Sequence, residues 1–167
     1  MQKGFGCRVL LLGLVLALTG CAAGISTQVR NQVTYFGPFA AVQQAPQKYI
    51  GETVLWGGRV IEIQVKKNNA TEIVVLQMPL NRWDQPQDDD QSQGRFLVHS
   101  AQFLDPALYP PGILITVAGR LQGSESRPIG EMPYTYPVID PIEIKKWASA
   151  TQPASRFHFG IGIGARF

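Results

Sequence analysis

The two cysteines and two histidines are the side chains of this sequence best suited to nucleophilic or metal chemistry. His99 and His158 do not lie at ligand spacing from each other or from a cysteine, so the sequence predicts no zinc site. His99 follows Val98 in a strand-like pattern with no serine or cysteine partner pattern, which indicates a strand-face residue rather than a general base. Catalysis by histidine is therefore not expected.

Carboxylates are the next candidates. The run from Asp88 to Asp90 could gather oxygen ligands for calcium, but it lacks the D-x-D-x-D-G spacing and the distal glutamate of a calcium loop. It predicts a solvated acidic loop tip. A carboxylate pair for glycoside hydrolysis cannot be picked out from spacing, and Glu125 and Glu131 fall in a predicted loop with no apolar pocket implied. We predict no catalytic residue, no metal site and no cofactor.

Cys21 is the one residue to which the sequence assigns a definite reaction. It ends a segment in which Lys3 and Arg8 precede an apolar run too short to cross a bilayer as a permanent helix, as in a signal peptide. The tetrapeptide Leu18-Thr19-Gly20-Cys21 resembles the lipobox of bacterial lipoproteins. There the thiol, a strong nucleophile once ionised, receives a diacylglycerol, cleavage follows just before the cysteine, and the freed amine is acylated.

Lipidation of Cys21 would fix the location of the protein. Acyl chains contribute roughly 0.8 kcal/mol per buried methylene, so two or three chains hold a protein stably at a membrane. Cys7 lies in the segment to be removed, which leaves the mature chain without a free thiol. Ala22 follows the cysteine where, in proteobacterial lipoproteins, an aspartate retains the protein in the inner membrane. The sequence therefore predicts a lipid anchor in the outer membrane, on its periplasmic face.

The mature composition limits the possible partners. Removal of the first 20 residues leaves 147, enough for one domain, and balances 13 basic against 12 acidic side chains. Such a chain has no basic surface for nucleic acid, and we expect no nucleic-acid partner. Trp56, Phe96 and Tyr136 could stack bases on strands, but they are expected to be core and rim residues.

Two runs rich in β-branched residues, 53–66 and 71–78, predict a β-hairpin around the connection from Lys67 to Ala70. Gly57 and Gly58 inside the first run predict a bulge or a sharp coil, as small closed barrels require.

In the same run, Ile61, Ile63 and Val65 alternate with polar residues, so one face is expected to be buried. Pro137 and Pro141 place parts of the last strand at an edge. The remaining elements are a strand at 95–99, one or two helical turns at 105–109, a strand at 113–121 and, after a Gly- and Ser-rich loop, a strand at 134–147.

This order predicts an all-β fold, a small five-stranded OB-like Greek-key barrel with a short helix and long loops. An open antiparallel sheet or a β-sandwich is the alternative. The stretch 82–94 is expected to be a solvated loop, and residues 35–50 to lie against the domain without a sustained helical period. We divide the chain into a signal peptide (1–20), a lipidated tether (21–33), the β-barrel domain (34–150) and a Gly-rich tail (151–167).

The tail alternates apolar residues with glycine from Phe157 to Phe167. One interpretation is an added edge strand or a loose end. The other is a strand that faces the membrane or pairs with a partner protein, because alternate residues would share one face.

Together with the lipobox, several stretches resemble the Slp family of starvation-inducible outer-membrane lipoproteins over nearly the whole mature chain. They are Gly51 to Gly58, Tyr109-Pro110-Pro111-Gly112, Val117-Ala118-Gly119 and Ile129 to Val138. The resemblance implies an envelope protein linked to starvation or stress and carries over a role only for Cys21. We expect a non-catalytic protein with a structural or binding role toward envelope proteins or cell-wall components. The alternatives are a carboxylate-based hydrolase acting on cell-wall polymer and an assembly subunit of an envelope complex.

Overall fold

The structure, a computed structural model, describes residues 24–87 and 91–147. Two short helices, α1 (Thr27–Arg30) and α2 (Phe39–Gln44), come first, and single 3-10 turns occupy Pro46–Tyr49 and Pro106–Leu108. The five strands are β1 (Thr53–Val65), β2 (Thr71–Met78), β3 (Arg95–Ser100), β4 (Leu114–Ile129) and β5 (Met132–Trp147). Within the part of the chain that the structure describes, no helix is long and apolar enough to cross a membrane.

The strands close into a barrel in the order β1-β2-β3-β5-β4. Neighbouring strands are antiparallel except β3 and β5, which run parallel. This order is that of an OB-like Greek-key barrel, so the predicted fold class is confirmed and the open-sheet and sandwich alternatives are wrong. β-branched residues at alternate positions fill the interior, among them Val60, Ile73, Val75, Val98 and Val117, each at most 1% exposed.

Gly57 and Gly58 lie where β1 pairs with β2 on one side and β4 on the other. A Cβ on Gly58 would lie only 1.9 Å from the carbonyl oxygen of Leu76, so glycine is required for the close approach of the two backbones. The prediction of a bulge at these glycines is wrong, because the register shifts between Val60 and Glu62 instead. Contact with the backbone of β2 explains Gly58, and contact with the side chains of Leu80 and Pro86 in the loop after β2 explains Gly57.

The alternation predicted for the end of β1 holds only in part. Ile61 and Ile63 are half-buried and alternate with the exposed residues Glu62 and Gln64. Val65, which was predicted to be buried, is 39% exposed. Val65 is the last residue of β1 before the hairpin turn, and its side chain is therefore not covered by the barrel interior.

Beyond the barrel, β4 and β5 continue as a long hairpin, here called the arm and defined as residues 122–137. β4 pairs with β1 only as far as Arg120, whereas its pairing with β5 continues to the hairpin tip. Gly130, with φ +60°, opens the two-residue turn as tight hairpins favour. The prediction of a Gly- and Ser-rich loop at 122–133 is therefore wrong: a composition typical of loops here forms a paired ribbon.

The arm folds back over the outer face of β2 and β3 and forms a second apolar cluster there. Val74 and Leu97 of the barrel pack with Tyr134 and Tyr136 of the arm, whose rings meet edge to face with centroids 4.7 Å apart. The Tyr134 hydroxyl accepts a 2.6 Å hydrogen bond from the backbone N–H of Arg95. Apolar packing and a partly buried hydrogen bond thus hold the arm on the barrel.

Helix α2 packs on the barrel through Phe39 and Val42, whose spacing places both on one helix face. The Phe39 ring lies 4.7 Å from the Trp56 ring in an edge-to-face contact. Residues 35–50 therefore lie against the domain as predicted. The six-residue helix α2 is too short to show a sustained helical period, which agrees with the pattern of the sequence.

Residues expected to form the polar tether also contact the barrel. The Ser26 hydroxyl donates a 2.6 Å hydrogen bond to Glu143 on β5, and Ile25 and Val33 are buried. The residues that flank α1 are therefore packed against the domain, whereas α1 itself has no buried residue. The division of the chain into four regions remains a prediction.

The connection between β2 and β3 is more ordered than the predicted solvated loop at 82–94. Asp84 and Pro86 are buried in it. Asp84 forms an ion pair with Arg30 of α1, and its backbone carbonyl accepts a hydrogen bond from the Thr116 hydroxyl. The polar composition of this loop gave no indication that Asp84 is buried and ion-paired. The acidic triplet at 88–90 lies outside the described residues.

Candidate functional site

Four polar side chains meet where the arm covers the barrel, and they are called the ion-pair cluster here: Glu72, His99, Glu125 and Arg127. Glu72 and His99 are direct cross-strand partners on β2 and β3. Glu125 and Arg127 lie two residues apart on β4, so strand alternation places both on one face of the arm. Two members from the barrel wall therefore face two members from the arm.

Arg127 forms a bidentate ion pair with Glu72, in which Nη1 and Nη2 each donate to one carboxylate oxygen at 2.7 Å. Arg127 Nε also donates a 2.9 Å hydrogen bond to Glu125. Hydrogen bonding from Arg127 lowers the pKa of Glu72 to about 2, against the raising effect of burial, and pairing with Glu72 raises the pKa of Arg127. Glu72, only 6% exposed, is therefore ionised and paired at neutral pH.

His99 and Lys66 complete the surroundings of Glu72. His99 Nε2 lies 3.0 Å from one oxygen of Glu72 and 3.5 Å from one oxygen of Glu125, without an aligned hydrogen bond to either. Lys66 Nζ lies 3.5 Å from the other oxygen of Glu72. Lys66 and Arg127 thus place two cationic groups beside the Glu72 carboxylate.

Glu72, His99 and Glu125 offer three ligand atoms that lie within 4.8 Å of one another, a set of donors that could hold a divalent cation. Arg127 already occupies both oxygens of Glu72 and one of Glu125. A cation would have to displace this guanidinium and leave it unpaired in a half-buried position. The geometry is therefore that of an ion-pair network and not of an open metal site.

An open cleft of about 470 Å³ adjoins the ion-pair cluster at the β1–β2 turn. Two hydroxyls in its wall already have structural roles: Thr71 Oγ1 accepts a hydrogen bond from Leu104 N–H, and Ser100 Oγ accepts one from Gln102 N–H. Neither is paired with a base, so the cleft presents groups that can bind a polar molecule rather than a nucleophile. It is lined by Lys66, Asn68, Ala70, Thr71, Glu72, His99, Ser100 and Ala101.

OB barrels often bind oligonucleotides and oligosaccharides on the face of their second and third strands. In this chain the arm covers that face, and Tyr136 of the arm is buried against Leu97 of the barrel. Trp56 and Phe96 pack in the barrel core with ring centroids 5.5 Å apart. The expectation that these three aromatic residues are core and rim residues is confirmed, and none of them is available for base stacking.

The sequence-predicted site residues have different fates in the structure. His99 is a strand-face residue of β3, as predicted, and Glu125, predicted to lie in a loop, is a paired residue of β4. Glu131 is exposed at the arm tip and is not part of the ion-pair cluster. Cys21, His158 and the tail at 157–167 lie outside the described residues.

Glu72 and Arg127 are the members of the ion-pair cluster that sequence reasoning missed. The alternation of Glu72 between Thr71 and Ile73 places it on the outer face of β2, which is one available signal. Its partner lies 55 residues away on the arm, and no local pattern predicts that pairing.

The fold and this site define a small OB-like barrel domain whose usual binding face is covered by its own arm and whose open cleft lies at the β1–β2 turn. Residues 18–161 match the family model described as the outer membrane lipoprotein Slp family. The chain belongs to this family, as the sequence resemblance indicated, and it is accordingly an envelope lipoprotein.

Two relatives from Escherichia coli (strain K12) match most of the chain. It is 32% identical to the outer membrane protein Slp over 150 residues, which cover 88% of this chain and 76% of that protein. It is 29% identical to the lipoprotein YeaY over 147 residues, which cover 88% of this chain and 75% of the relative.

Among solved structures, similar barrels occur in single-stranded DNA-binding proteins. The small protein of this class from Streptomyces coelicolor has 15% identity and a TM-score of 0.38, and the match covers 57% of this chain and 94% of that one. The mitochondrial protein from S. cerevisiae has 13% identity and a TM-score of 0.35 at the same coverages. Identities this low do not assign DNA binding to this chain.

Proposed function

We propose that this protein is held at the outer membrane by acyl chains on Cys21 and that its barrel is a non-catalytic binding domain on the periplasmic side. The lipobox and Ala22 support the anchor and its membrane. Lipidation would confine the domain to a thin layer beside the membrane, where even weak contacts gain from a high effective concentration. A role in starvation or envelope stress is proposed from the family resemblance alone.

The cleft beside the ion-pair cluster is the observation that supports a binding role. Its wall presents the side chains of Lys66 and His99, which are 43% and 35% exposed. Lys66 can donate hydrogen bonds to hydroxyl or anionic groups of a polar envelope ligand, either a small molecule or a segment of a polymer, and the partly exposed His99 ring can pack against that ligand.

The state of the carboxylates supports a non-catalytic role. Glu72 is held ionised by Arg127, so it cannot donate a proton at neutral pH as the general acid of a glycosidase must. Because its low pKa also makes it a weak base, neither acid nor base catalysis is favoured at this carboxylate.

Incubation of the mature chain carrying Cys21→Ala with cell-wall fragments, lipopolysaccharide and small envelope metabolites tests this proposal when binding and turnover are assayed together. We expect saturable binding without turnover, weakened about tenfold or more by the double substitution of Lys66 and His99 to glutamine. Lys67→Gln, at an exposed position of the same turn outside the cleft wall, is the matched control and should bind normally.

Two results would contradict the binding proposal. Turnover that Glu72→Gln abolishes would establish the alternative of a carboxylate-based hydrolase. Absence of binding to every class of compound would leave the cleft without a role and favour a structural or assembly function instead.

A further inference from the structure

The loop after β2 contacts the first described residue of the chain. A Cβ on Gly24 would lie 2.9 Å from the carbonyl oxygen of Trp83 and 2.5 Å from Asp84 Oδ2. Gly24 is thus in direct contact with the loop after β2, which is called the Trp83 loop here. Arg30 of α1 forms an ion pair with Asp84, so a second residue of the N-terminal segment contacts the same loop.

The short distance along the chain from Gly24 to Cys21 links this loop to the membrane. Three residues span at most about 11 Å when fully extended. If Cys21 carries the acyl chains, the Trp83 loop cannot lie far from the lipid headgroups. The inference below therefore depends on the lipid anchor proposed above.

The side chains around this loop are of the kind that membrane interfaces favour. Trp83 is 54% exposed, and the Arg82 guanidinium lies 4.8 Å from the centre of its ring. Tryptophan is enriched at the headgroup level of membranes, where its amphipathic ring is partly dry and partly wet. An arginine beside it can contact an anionic headgroup.

A second tryptophan and cation adjoin the same loop. Trp147 Nε1 donates a 2.9 Å hydrogen bond to Thr116 Oγ1, and that hydroxyl donates to the carbonyl of Asp84. Lys145 Nζ lies 5.7 Å from the centre of the Trp147 ring. Two aromatic and basic pairs are therefore connected through Thr116 and the loop backbone.

Among the residues that the structure describes, the carboxylates of Asp84 and Glu143 beside this surface are already bound within the protein. Asp84 is 4% exposed and paired with Arg30. Glu143 accepts hydrogen bonds from the backbone and hydroxyl of Ser26. Because Asp84 and Glu143 are engaged with other groups, they do not compete with phosphate or other anionic headgroups for Arg82 and Lys145.

We propose that Arg82, Trp83, Lys145 and Trp147 form a membrane-facing surface that rests on anionic lipid headgroups beside the Cys21 anchor. The anchor supplies the affinity, and this surface fixes the orientation of the barrel. Glu72, at the start of β2, is six residues or about 20 Å along the strand from Met78, which precedes the loop. The surface would therefore turn the cleft away from the bilayer.

The test uses the lipidated mature protein in vesicles of phosphatidylcholine and phosphatidylglycerol, with phosphatidylcholine brominated near the headgroup end of its acyl chains. Flotation reports the anchor, and quenching of tryptophan emission in the floating fraction reports the surface. We expect clear quenching in the wild type and loss of roughly half of it in Trp83→Phe, because both interfacial tryptophans contribute. A variant with Trp83 and Trp147 both changed to phenylalanine retains Trp56, which is buried in the core and should remain unquenched.

A separate experiment tests the preference for anionic headgroups. Arg82→Gln should reduce quenching in anionic vesicles, whereas Arg120→Gln, at an exposed position of β4, should not. Thermal unfolding of each variant confirms that the fold is kept. Floating protein with unquenched tryptophans would overturn the surface while leaving the anchor intact. Protein that does not float would overturn both proposals.

Discussion

Arg127 on the arm and Glu72 on the barrel wall are joined by two parallel hydrogen bonds of 2.7 Å, one to each carboxylate oxygen. The apolar cluster that contains Tyr134 of the arm and Leu97 of the barrel is the second contact between these two parts. Both bonds cross from the arm to the barrel, so this pair attaches to β2 the part of the β4–β5 ribbon that no strand pairing with β1 supports. The stability of the arm should depend on it.

A double-mutant cycle measures this connection. Arg127→Met should destabilise the protein more than Glu72→Gln, because it leaves the nearly buried carboxylate unpaired. We expect a coupling free energy between the two sites of about 1–3 kcal/mol in chemical denaturation. Arg120→Met, on the same strand but exposed, should change the free energy of unfolding by less than about 0.5 kcal/mol. Strictly additive effects at the two sites would mean that the pair does not hold the arm.

The pH dependence of stability follows from the pKa of Glu72, which pairing lowers from 4.5 to about 2. A carboxyl group whose pKa is lower in the folded state contributes stability that is present above its unfolded pKa and lost as the pH falls through its folded pKa. The stability advantage of the wild type over Glu72→Gln should therefore be constant above about pH 5 and should shrink between pH 4.5 and pH 2. Equilibrium unfolding at a series of pH values measures this, and a difference that does not change with pH would contradict the pairing.

The close approach at Gly58 predicts a severe steric effect. Gly58→Ala would bring a Cβ to 1.9 Å from the Leu76 carbonyl oxygen, so β1 and β2 would have to separate. We expect a loss of more than about 3 kcal/mol, or no folded protein. Gly51→Ala is the matched control: the position has φ +89° but nothing within 4 Å, so only backbone strain of about 1 kcal/mol is expected. Equal losses at both glycines would rule out the steric explanation.

Sequence reasoning reached the barrel because its information is local. The alternation near Ile61 and Ile63, the connection at 67–70 and the apolar run of β4 each identify a strand without reference to a partner. The arm was missed because Gly123, Ser124 and Ser126 have a composition typical of loops, and their pairing with 135–138 exists only once the ribbon folds back.

The candidate site could not be predicted from the sequence, because its residues meet only through long-range pairing. Glu72 and His99 face each other only in the register that the closed barrel imposes on β2 and β3. Arg127 reaches them only if the arm folds over that face. No spacing within the sequence encodes either condition, so His99 and the scattered carboxylates could not be assembled into the ion-pair cluster.

Deletion of residues 157–167 should leave the barrel stable. The closed barrel is complete within residues 53–147, so no strand of it has to come from the tail. We expect the unfolding temperature of the shortened protein to stay within about 2 °C of the wild type, as for the removal of a segment with no part in the core. A fall of ten degrees or more would show that the tail belongs to the domain.

The mass of the N-terminal peptide of the mature protein, isolated from outer membranes, tests the account most directly. The account predicts a peptide that begins at Cys21 and carries a thioether-linked diacylglycerol together with an amide-linked acyl chain. The Cys21→Ala substitution should abolish both acylation and cleavage, so that the variant protein keeps its signal peptide. A mature peptide with an unmodified Cys21, or one that begins at another residue, would contradict the claim that this barrel is a lipid-anchored domain of the outer membrane.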